Sequence, residues 1–522
     1  MAGEADVLVV GGGHNGLVAA AYLACAGLSV TVLEALETPG GMARSEHPIP
    51  GAPDHAVDPC AVDLVFMHAG TVLQDLGLRD AGLTLVDIDP TYAYLDPEGA
   101  SIAFWKDARR TAEEIRCFSA ADAESYLSMV RALDVFLRAG LPLLTTNPVR
   151  PSPSALRRSA SEVARGTRSL PVGLGIFARS PLDTLDHRFS HPIVRNALAS
   201  LVASGGDLGK RGNGAGFLFL AFLHRFGVTR PVGGMQSLAT ALVRRLEEAG
   251  GRVRTNVQVE QILTAAGRAS GVRLATGEEL SARVGVVSTL HPQVTLGPLL
   301  APGTLPSAIS ERLTKIPSNS AGTGDLKLDL ALDGQLDLRR YERWRDDGLD
   351  LRLPAVMVGQ ISEMIEARAR AEAGNLAGTL PFWAFVGTAA DPGQAPEGQD
   401  VLSLWTPFVP ADPRAPEYAS LAGKTLLTAA AGVYEGLEGQ VIGRHLMTTA
   451  DISAKYQVPN GCIVHVDLVP TRMGPLRPAR GLAGYRTPVE GLFLGGNGTH
   501  PGIGVSGISG RLAAQELLRR AK

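Results

Sequence analysis

Residues 5–34, ADVLVVGGGHNGLVAAAYLACAGLSVTVLE, decide the fold of this chain. Residues 5–11 are short, apolar and rich in valine, which is typical of a buried parallel strand. Residues 14–26 have the small and apolar side chains of a packed helix, and Gly27 follows as the glycine that ends many helices. Residues 29–34 predict a second strand. Together they predict a βαβ unit, the opening of a doubly wound parallel sheet.

The turn between the first strand and the helix contains Gly11, Gly13 and Gly16 in the spacing GxGxxG. Gly11 permits a tight turn, Gly13 lets a pyrophosphate approach the backbone, and Gly16 lets the helix pack closely on the sheet. The pyrophosphate then meets free N–H groups and the positive end of the helix dipole. Glu34 ends the second strand, where its carboxylate can accept hydrogen bonds from ribose hydroxyls. A carboxylate there disfavours a 2′-phosphate, which favours FAD or NAD over NADP.

The loop after the second strand distinguishes these two dinucleotides. An NAD dehydrogenase of this fold would continue with regular βα units. Here residues 38–45 read TPGGMARS, a glycine pair followed by a basic residue. Such a loop suits the phosphates and ribityl chain of a flavin, although an ordinary flexible loop remains the alternative interpretation.

The C-terminal stretch 491–521, GLFLGGNGTHPGIGVSGISGRLAAQELLRRA, predicts a strand over 492–494, a glycine loop and a final helix. We expect this helix to begin near Val505 and to carry a packing stripe of Gly507, Gly510 and Ala514. No ordinary βαβ unit follows the spacing Gly502, Gly504, Gly507, so we expect no second dinucleotide site. Reoxidation by oxygen, a quinone or another carrier is therefore expected.

The 522 residues are too many for one core, and the glycine-rich segments lie at the start, middle and end of the chain. We therefore predict an α/β protein with a Rossmann-type FAD-binding domain assembled from residues 1–75, 229–300 and 451–522. An interleaved α+β substrate domain would comprise 76–228 and 301–450. The Pro-, Arg- and Ser-rich stretch 147–171 predicts an exposed excursion or helical lid of that domain.

Composition excludes several classes of function. A net charge of −3 offers no basic footprint for nucleic acid. The four cysteines lack CxxC spacing, and no cluster has metal-ligand spacing, so we predict no redox dithiol and no metal. The N-terminus has acids where a signal peptide has basic residues, which favours a cytoplasmic location. Residues 216–227, GFLFLAFLHRFG, predict a buried helix or pocket wall, and peripheral membrane contact is the alternative.

The chain resembles the phytoene-desaturase-like flavoproteins. The resemblance is carried by residues 11–35 with the PGG that follows, PVGGMQSLATAL at 231–242, VVSTLHP at 286–292, HVDLVPTRMGPLRP at 465–478 and residues 485–514. Within that family the chain is most similar to bacterial relatives of pyridine nucleotide-disulfide oxidoreductase domain-containing protein 2. The resemblance covers essentially the whole chain. It implies a fold like that of the amine oxidase and carotenoid desaturase flavoproteins.

The resemblance also implies non-covalent FAD. The residues that it places against the cofactor are Gly11, Gly13, Gly16, Glu34, Gly41, Arg44, Val259, Gly496 and Val505. Their neighbours in the same motifs complete the predicted cofactor site: His14, Asn15, Ala35, Gly40, Met42, Ser288, Asn497 and Gly504. His14 and Asn15 are expected to orient the first turn and not to act in catalysis.

The chemistry that follows is removal of a hydride from a C–H bond to flavin N5, with a proton leaving from the neighbouring atom. Lys327, in DLKLDLAL, is the first candidate for a polar group facing the flavin, and a solvent-exposed lysine is the alternative. His500 is a candidate either for contact with substrate or for bracing its turn. His465, alternating with Asp467 along an expected strand, is a candidate to line the substrate cavity.

The substrate is expected to be a largely apolar small molecule, because few charges lie among the Phe, Leu and Trp positions of the second domain. Two alternatives stay open. A flavin enzyme without net oxidation, a double-bond isomerase or a saturase, would require reduced FAD. A non-catalytic flavin-fold protein with a binding or regulatory role would have a flavin pocket but no substrate-sized cavity.

Overall fold

The computed structural model describes residues 4–345, 347–413 and 417–521. Its strands are β1 (Glu4–Val10), β2 (Val30–Leu33), β3 (Leu85–Ile88), β4 (Tyr92–Leu95), β5 (Ser101–Phe104), β6 (Val228–Pro231), β7 (Arg252–Arg254), β8 (Val259–Ala265), β9 (Arg268–Leu274), β10 (Glu279–Ser288), β11 (Thr323–Leu332), β12 (Ala355–Val358), β13 (Phe382–Val386), β14 (Val401–Pro410), β15 (Val441–Met447) and β16 (Leu492–Leu494). Its helices are α1 (His14–Cys25), α2 (Val72–Asp75), α3 (Ala108–Arg116), α4 (Ala120–Leu144), α5 (Pro153–Arg165), α6 (Leu170–Ala178), α7 (Pro181–Arg188), α8 (Pro192–Ala203), α9 (Leu218–Phe226), α10 (Gln236–Glu248), α11 (Pro292–Leu296), α12 (Ser307–Thr314), α13 (Arg339–Glu342), α14 (Ile361–Glu372), α15 (Gly387–Ala390), α16 (Tyr418–Ala431), α17 (Leu437–Gln440), α18 (Thr449–Tyr456) and α19 (Ile508–Ala521).

Strand β1, helix α1 and strand β2 form the predicted βαβ unit. The two strands pair in parallel, with Val7 opposite Val30. Successive residues of β1 enter different cores, since Val7 and Val9 pack on one face of the sheet and Leu8 and Val10 on the other. Both faces of the strand are therefore covered, which explains its uninterrupted apolar sequence.

The first sheet has seven strands in the order β7-β2-β1-β10-β9-β8, and β16 pairs with β10. Strands β7, β2, β1, β10 and β16 are parallel, whereas β8, β9 and β10 form antiparallel hairpins. Helices α1, α10 and α19 cover one face, and α11 and α12 cover the other. This arrangement confirms the predicted α/β fold with a Rossmann-type unit.

Helix α19 packs closely on α1 through its small residues. A Cβ at Gly510 would collide with the carbonyl oxygen of Asn15. The helix begins at Ile508 and not near Val505 as predicted. Gly504 and Gly507 have φ values of 49° and 67°, outside the right-handed helical region, so the helix cannot start before them.

The second sheet also has seven strands, in the order β15-β11-β14-β13-β12-β4-β5, and is mainly antiparallel. All its strands come from residues 92–104 and 323–447, whereas those of the first sheet come from 4–33, 252–288 and 492–494. The two sheets thus take their strands from alternating stretches of the chain, and the division into two interleaved domains, with boundaries at 75, 228, 300 and 450, stays a prediction.

The helices beside the second sheet follow from local sequence. Ser119 caps α4 by accepting a hydrogen bond from the backbone N–H of Asp122. The stretch 147–171 contains helix α5, in which only Ala155 is buried, so this excursion is both exposed and helical. Helix α9, within the apolar run 216–227, buries Leu220 and Phe222 in the core.

No helix in the described part of the chain is long and apolar enough to cross a membrane.

Candidate active site

A cavity of about 420 Å³ begins at the carboxyl ends of β1, β2 and β10 and extends to the second sheet. Parallel strands end at one edge of a sheet, so the loops after them converge there, where ligands of doubly wound folds bind. The predicted residues that line it are Gly11, Gly13, His14, Asn15, Glu34, Ala35, Gly41, Met42, Val259, Lys327, His465, Asn497, Gly504 and Val505. Segments far apart in sequence thus share one site.

The glycine turn leaves the start of α1 open. Gly13 occupies the N-cap position, and no side chain caps the first N–H groups of the helix. A Cβ at Gly16 would collide with the carbonyl oxygen of Gly11, so Gly16 serves close packing of helix on strand. A Cβ at Gly13 would meet only the Cα of Gly41, at 3.8 Å. The free N–H groups and the open space beside Gly13 fit a pyrophosphate.

The glycine pair of the next loop lies on this turn. The N–H of Gly40 donates to the carbonyl of Gly12 at 2.9 Å, and Gly13 and Gly40 form an isolated parallel bridge. Gly41 has a φ of 59°, and a Cβ there would lie 3.0 Å from the Cα of Gly13. The two loops therefore form one continuous backbone wall that side chains would disrupt.

Glu34 is buried beside the turn without a cation. Its carboxylate accepts the N–H of Gly12 at 2.7 Å and the N–H of Leu36 at 2.9 Å. Within the described residues it forms no ion pair, so its remaining lone pairs can accept hydroxyl groups of a ligand. Val257 and Val259 line the cavity nearby and supply an apolar surface at the same end.

We expect Glu34→Gln to weaken FAD binding about 10- to 100-fold. Hydrogen bonds to a charged acceptor contribute about 1.5–3 kcal/mol, and tenfold in affinity is about 1.4 kcal/mol. The check is the dissociation constant for FAD added to apoprotein. Glu37→Gln is the matched control, because Glu37 is exposed three residues later. Equal affinities for wild type and Glu34→Gln would contradict this role.

Six predicted residues do not line the cavity: Gly16, Gly40, Arg44, Ser288, Gly496 and His500. Arg44 pairs with Glu46, with 2.8 Å between Nε and Oε1. Ser288 and Thr295 share a hydrogen bond of 2.7 Å, and the next residue, Thr289, lines the cavity instead. Arg44 and Ser288 therefore use their polar atoms for contacts within the protein.

His500 and Gly496 have clear packing roles. The Nε2 of His500 lies 3.2 Å from the carbonyl oxygen of Leu143, near the end of α4. Burial lowers the pKa of His500 to about 4, so the ring is neutral and donates this hydrogen bond. A Cβ at Gly496 would collide with the carbonyl oxygen of Thr289. The geometry supports the bracing alternative for His500.

Six aromatic side chains line the cavity, and together they define what we call the aromatic chamber: Phe66, Tyr92, Phe219, Phe385, Trp405 and Tyr456. Phe219 forms ring contacts with Tyr92 at 5.8 Å and with Phe66 at 6.1 Å between centroids. Phe219 belongs to α9, so the apolar run 216–227 is both a core helix and a pocket wall, as predicted. No short sequence motif identifies the chamber, because its rings come from separate elements.

Lys327 lies in the cavity wall on β11, and its side chain is only 4% exposed. Its ammonium is 3.2 Å from Asp329 and also donates to the backbone carbonyl of Asp58. Burial alone would raise the pKa of Asp329, but Lys327, His445 and Ser403 together hold this pKa below its ordinary value. The alternative of a lysine in solvent is therefore wrong.

Asp325 is a cavity residue that the sequence analysis missed. It lies two residues before Lys327 on β11, and its carboxylate accepts the indole N–H of Trp405 at 3.0 Å. Burial raises its pKa to about 7, despite this hydrogen bond. The alternation of Asp325, Lys327 and Asp329 in DLKLDLAL could have identified it, since alternate residues of a strand share a face.

His465 lines the cavity, but the predicted strand around it is absent. Its φ of 63° places it in a left-handed bend, and Asp467 does not reach the cavity. The backbone oxygen of His465 accepts hydrogen bonds from Ser318 and His291. Burial lowers the pKa of His465 well below its ordinary value, so the imidazole is neutral. His14, also in the wall, has its pKa lowered by burial to about 4.

Comparison with known proteins identifies the family. Residues 16–518 match the family described as flavin containing amine oxidoreductase. The chain is 28% identical to mouse pyridine nucleotide-disulfide oxidoreductase domain-containing protein 2, over 99% of this chain and 94% of that protein. It is 25% identical to one of the limonene dehydrogenase subunits of Castellaniella defragrans, covering 96% and 92%. It is 24% identical to a neurosporene-forming phytoene desaturase of Rhodobacter capsulatus, covering 99% and 94%.

Among solved structures, a putrescine oxidase variant matches with a TM-score of 0.60 at 16% identity, over 99% of both chains. This likeness shows the fold alone. The family match and the relatives confirm the resemblance to phytoene-desaturase-like flavoproteins, and the open helix start, the backbone wall and Glu34 fit the dinucleotide half of FAD. The chain therefore belongs to the flavin containing amine oxidoreductase family and is an FAD-dependent oxidoreductase.

Proposed function

We propose that the enzyme oxidises a carbon–hydrogen bond of a largely apolar small molecule, for which bound FAD supplies the hydride acceptor at N5. The observation that carries this proposal is the aromatic chamber, which belongs to the same cavity as the glycine turn and Glu34. Two relatives, limonene dehydrogenase and phytoene desaturase, take their names from hydrocarbons. A hydrocarbon-like substrate needs an apolar chamber of this kind.

The chain's own residues would orient the substrate and handle the proton. Phe66, Phe219 and Phe385 offer ring faces and edges that exclude water from the reacting carbon. Asp325, with a pKa raised by burial to about 7, can accept a proton near neutral pH. Lys327, held by Asp329, supplies a fixed positive group on the same face of β11.

The test is an anaerobic screen in which FAD-loaded protein is mixed with terpenes, polyenes and alkylamines, and bleaching of the oxidised flavin band is followed. We expect bleaching by an apolar compound, with a product that carries one more double bond. Turnover only after prior reduction of FAD would contradict net oxidation and would favour a saturase or isomerase. A product with one double bond fewer than the substrate would indicate a saturase, and a product with the same number of double bonds would indicate an isomerase.

A second candidate, oxidation of an amine next to its nitrogen, is favoured by Asp325. This carboxylate is buried, and among the described residues it has no ion-pair partner. Trp405 and Tyr456 also line the cavity. A carboxylate and aromatic faces together suit an ammonium group. If an alkylamine bleaches the flavin and Asp325→Asn abolishes that reaction alone, the amine is the substrate class.

Asp325→Asn also gives a stability prediction. The pKa of an unfolded aspartate is about 3.9, and the folded pKa of Asp325 is about 7. A raised acid pKa destabilises the fold progressively as the pH rises from about 4 to 7. We therefore expect FAD-loaded Asp325→Asn to unfold at a higher temperature than wild type at pH 8. The gain in free energy of unfolding should be of the order of 4 kcal/mol, because a difference of one in pKa corresponds to about 1.4 kcal/mol.

At pH 4 the same comparison should show a difference below about 1 kcal/mol, because Asp325 is then protonated in the folded wild type and about half protonated in the unfolded chain. Asp333→Asn, a substitution on an exposed aspartate just after β11, is the control. A lower melting temperature for Asp325→Asn at pH 8 would mean that an unseen cation neutralises Asp325.

A further inference from the structure

Among the residues that the structure describes, Arg477 is the largest side chain that is completely buried, with 0% of the residue exposed. It lies in the motif HVDLVPTRMGPLRP, which the proposed function has not used. Full burial of a guanidinium is expensive unless every donor is satisfied. A turn can form without a buried guanidinium, so the burial of this charge suggests that it has a further role.

The partners of Arg477 are backbone carbonyls alone. Its Nη2 donates to Val464 and Asn497, each at 3.0 Å, and its Nε donates to Thr499 at 3.1 Å. Its Nη1 is 3.4 Å from the carbonyl oxygen of Asp467. Within the described ranges the guanidinium forms no ion pair. The arrangement therefore satisfies its hydrogen bonds without neutralising its charge.

The one carboxylate that acts on the charge of Arg477 is that of Asp467, which favours the charged guanidinium but, within the described residues, forms no ion pair with it. The carboxylate of Asp467 is turned away and accepts the N–H groups of Asn319 and Ser320 at 2.7 and 3.1 Å. Burial raises the pKa of Cys462 to about 12, so this thiol is neutral. Burial keeps three imidazoles neutral by lowering their pKa values, and the charge of Arg477 lowers them further: His291, His465 and His500.

Arg477 itself stays charged. Burial lowers its pKa to about 10, which still leaves the guanidinium protonated at neutral pH. Because this pKa is well above neutral, and the nearby histidines and Cys462 are neutral, the positive charge of Arg477 is constant from about pH 6 to 8.

The guanidinium lies directly behind the cavity wall. Val464 and Asn497, whose carbonyls it binds, both line the cavity. A Cβ at Gly502 would collide with Nε and Cζ of Arg477, so the loop that leads to Gly504 and Val505 is shaped around this side chain. The charge is thus held within one hydrogen bond of the backbone that faces the ligand.

We propose that Arg477 is a fixed positive charge behind the wall formed by Val464 and Asn497, and that it raises the reduction potential of the FAD bound in front of it. Reduction by hydride adds two electrons and one proton, so the isoalloxazine changes from neutral to a monoanion. A buried cation behind the wall stabilises that anion more than the neutral form, because the low-dielectric interior screens it weakly. The inference depends on the FAD cofactor and not on the proposed substrate.

The experiment is a spectroelectrochemical titration of FAD-loaded wild type, Arg477→Met, Arg477→Lys and Arg472→Met at pH 7. Arg472 is the matched control, since it lies in the same motif and donates to the backbone carbonyls of Lys315 and Pro478 but does not line the cavity. We expect Arg477→Met to lower the reduced-to-oxidised ratio at a given potential at least tenfold, which is about 30 mV for a two-electron couple. Arg477→Lys should lower this ratio less than Arg477→Met does, and Arg472→Met should have the wild-type ratio.

A wild-type potential in FAD-loaded Arg477→Met would overturn the proposal, as would an equal change in Arg472→Met. A second measurement needs no variant. If the reduced flavin stays a monoanion, the wild-type reduction potential falls by about 30 mV for each tenfold decrease in proton concentration between pH 6 and 8. This slope corresponds to uptake of one proton per two electrons. Twice that slope across the range would show two protons taken up and would overturn the proposal even if Arg477→Met does not fold.

Discussion

Gly13→Val is expected to produce a folded protein that binds no FAD and is therefore colourless. A Cβ at Gly13 meets only the Cα of Gly41, at 3.8 Å, so the first side-chain atom fits without the ligand. The backbone at Gly13 has φ −66° and ψ 168°, which valine adopts readily. The added methyl groups then occupy the approach to the free N–H groups of α1. The checks are the flavin absorbance per mole of purified protein and the melting temperature of the apoprotein.

Two other glycines make this test interpretable. Gly378→Val is the control for a glycine-to-valine change, because Gly378 is exposed with no atom within 4 Å of its ideal Cβ position. Gly16→Val would not separate binding from folding, because its Cβ collides with the carbonyl oxygen of Gly11. Stoichiometric FAD in Gly13→Val would mean that the pyrophosphate lies elsewhere, and the assignment of the turn would be wrong.

Lys327→Met is expected to destabilise the FAD-loaded protein by about 3–5 kcal/mol, because it leaves a buried carboxylate without its cation. Asp329 is 0% exposed, and its ammonium partner is 3.2 Å away. The wild-type pair contributes stability above the ordinary carboxyl pKa and loses it as the pH falls through the lowered pKa of Asp329. In the variant the pKa of Asp329 rises. The difference in free energy of unfolding between the variant and wild type should therefore become smaller as the pH falls. Chemical unfolding at pH 7 and pH 5 measures both effects.

The double variant Lys327→Met with Asp329→Leu is the matched comparison. Replacing both members of a buried ion pair by apolar side chains is often close to neutral, so much of the lost stability should return. With a reducing substrate from the anaerobic screen, both variants should reduce flavin more slowly than wild type in a single turnover. Restored stability with an unchanged wild-type rate would remove Lys327 from the mechanism and leave it a structural role.

The local elements were predictable because their causes are local. The βαβ unit follows from one apolar strand, one glycine turn and one acidic strand end, all within residues 5–34. The hairpins of β8, β9 and β10 and the cap at Ser119 likewise depend on neighbours in sequence. The predicted strand around His465 was wrong, because contacts with residues remote in sequence override the local preference for an extended backbone. His465 adopts a left-handed bend in place of a strand, since its carbonyl is held by Ser318 and His291 from elsewhere in the chain.

The sequence by itself determined the class of fold, the FAD cofactor and most of the residues around its dinucleotide half, because glycine spacing and strand ends act over short distances. Only the tertiary structure decided that Asp325 shares the cavity with six aromatic rings from separate elements, and that Lys327 is buried against Asp329. The same holds for Arg477, whose charge matters only because folding removes water and brings the carbonyls of Val464 and Asn497 to it. Burial and distance between remote segments set the strength of such charges, and no local pattern of residues encodes either quantity.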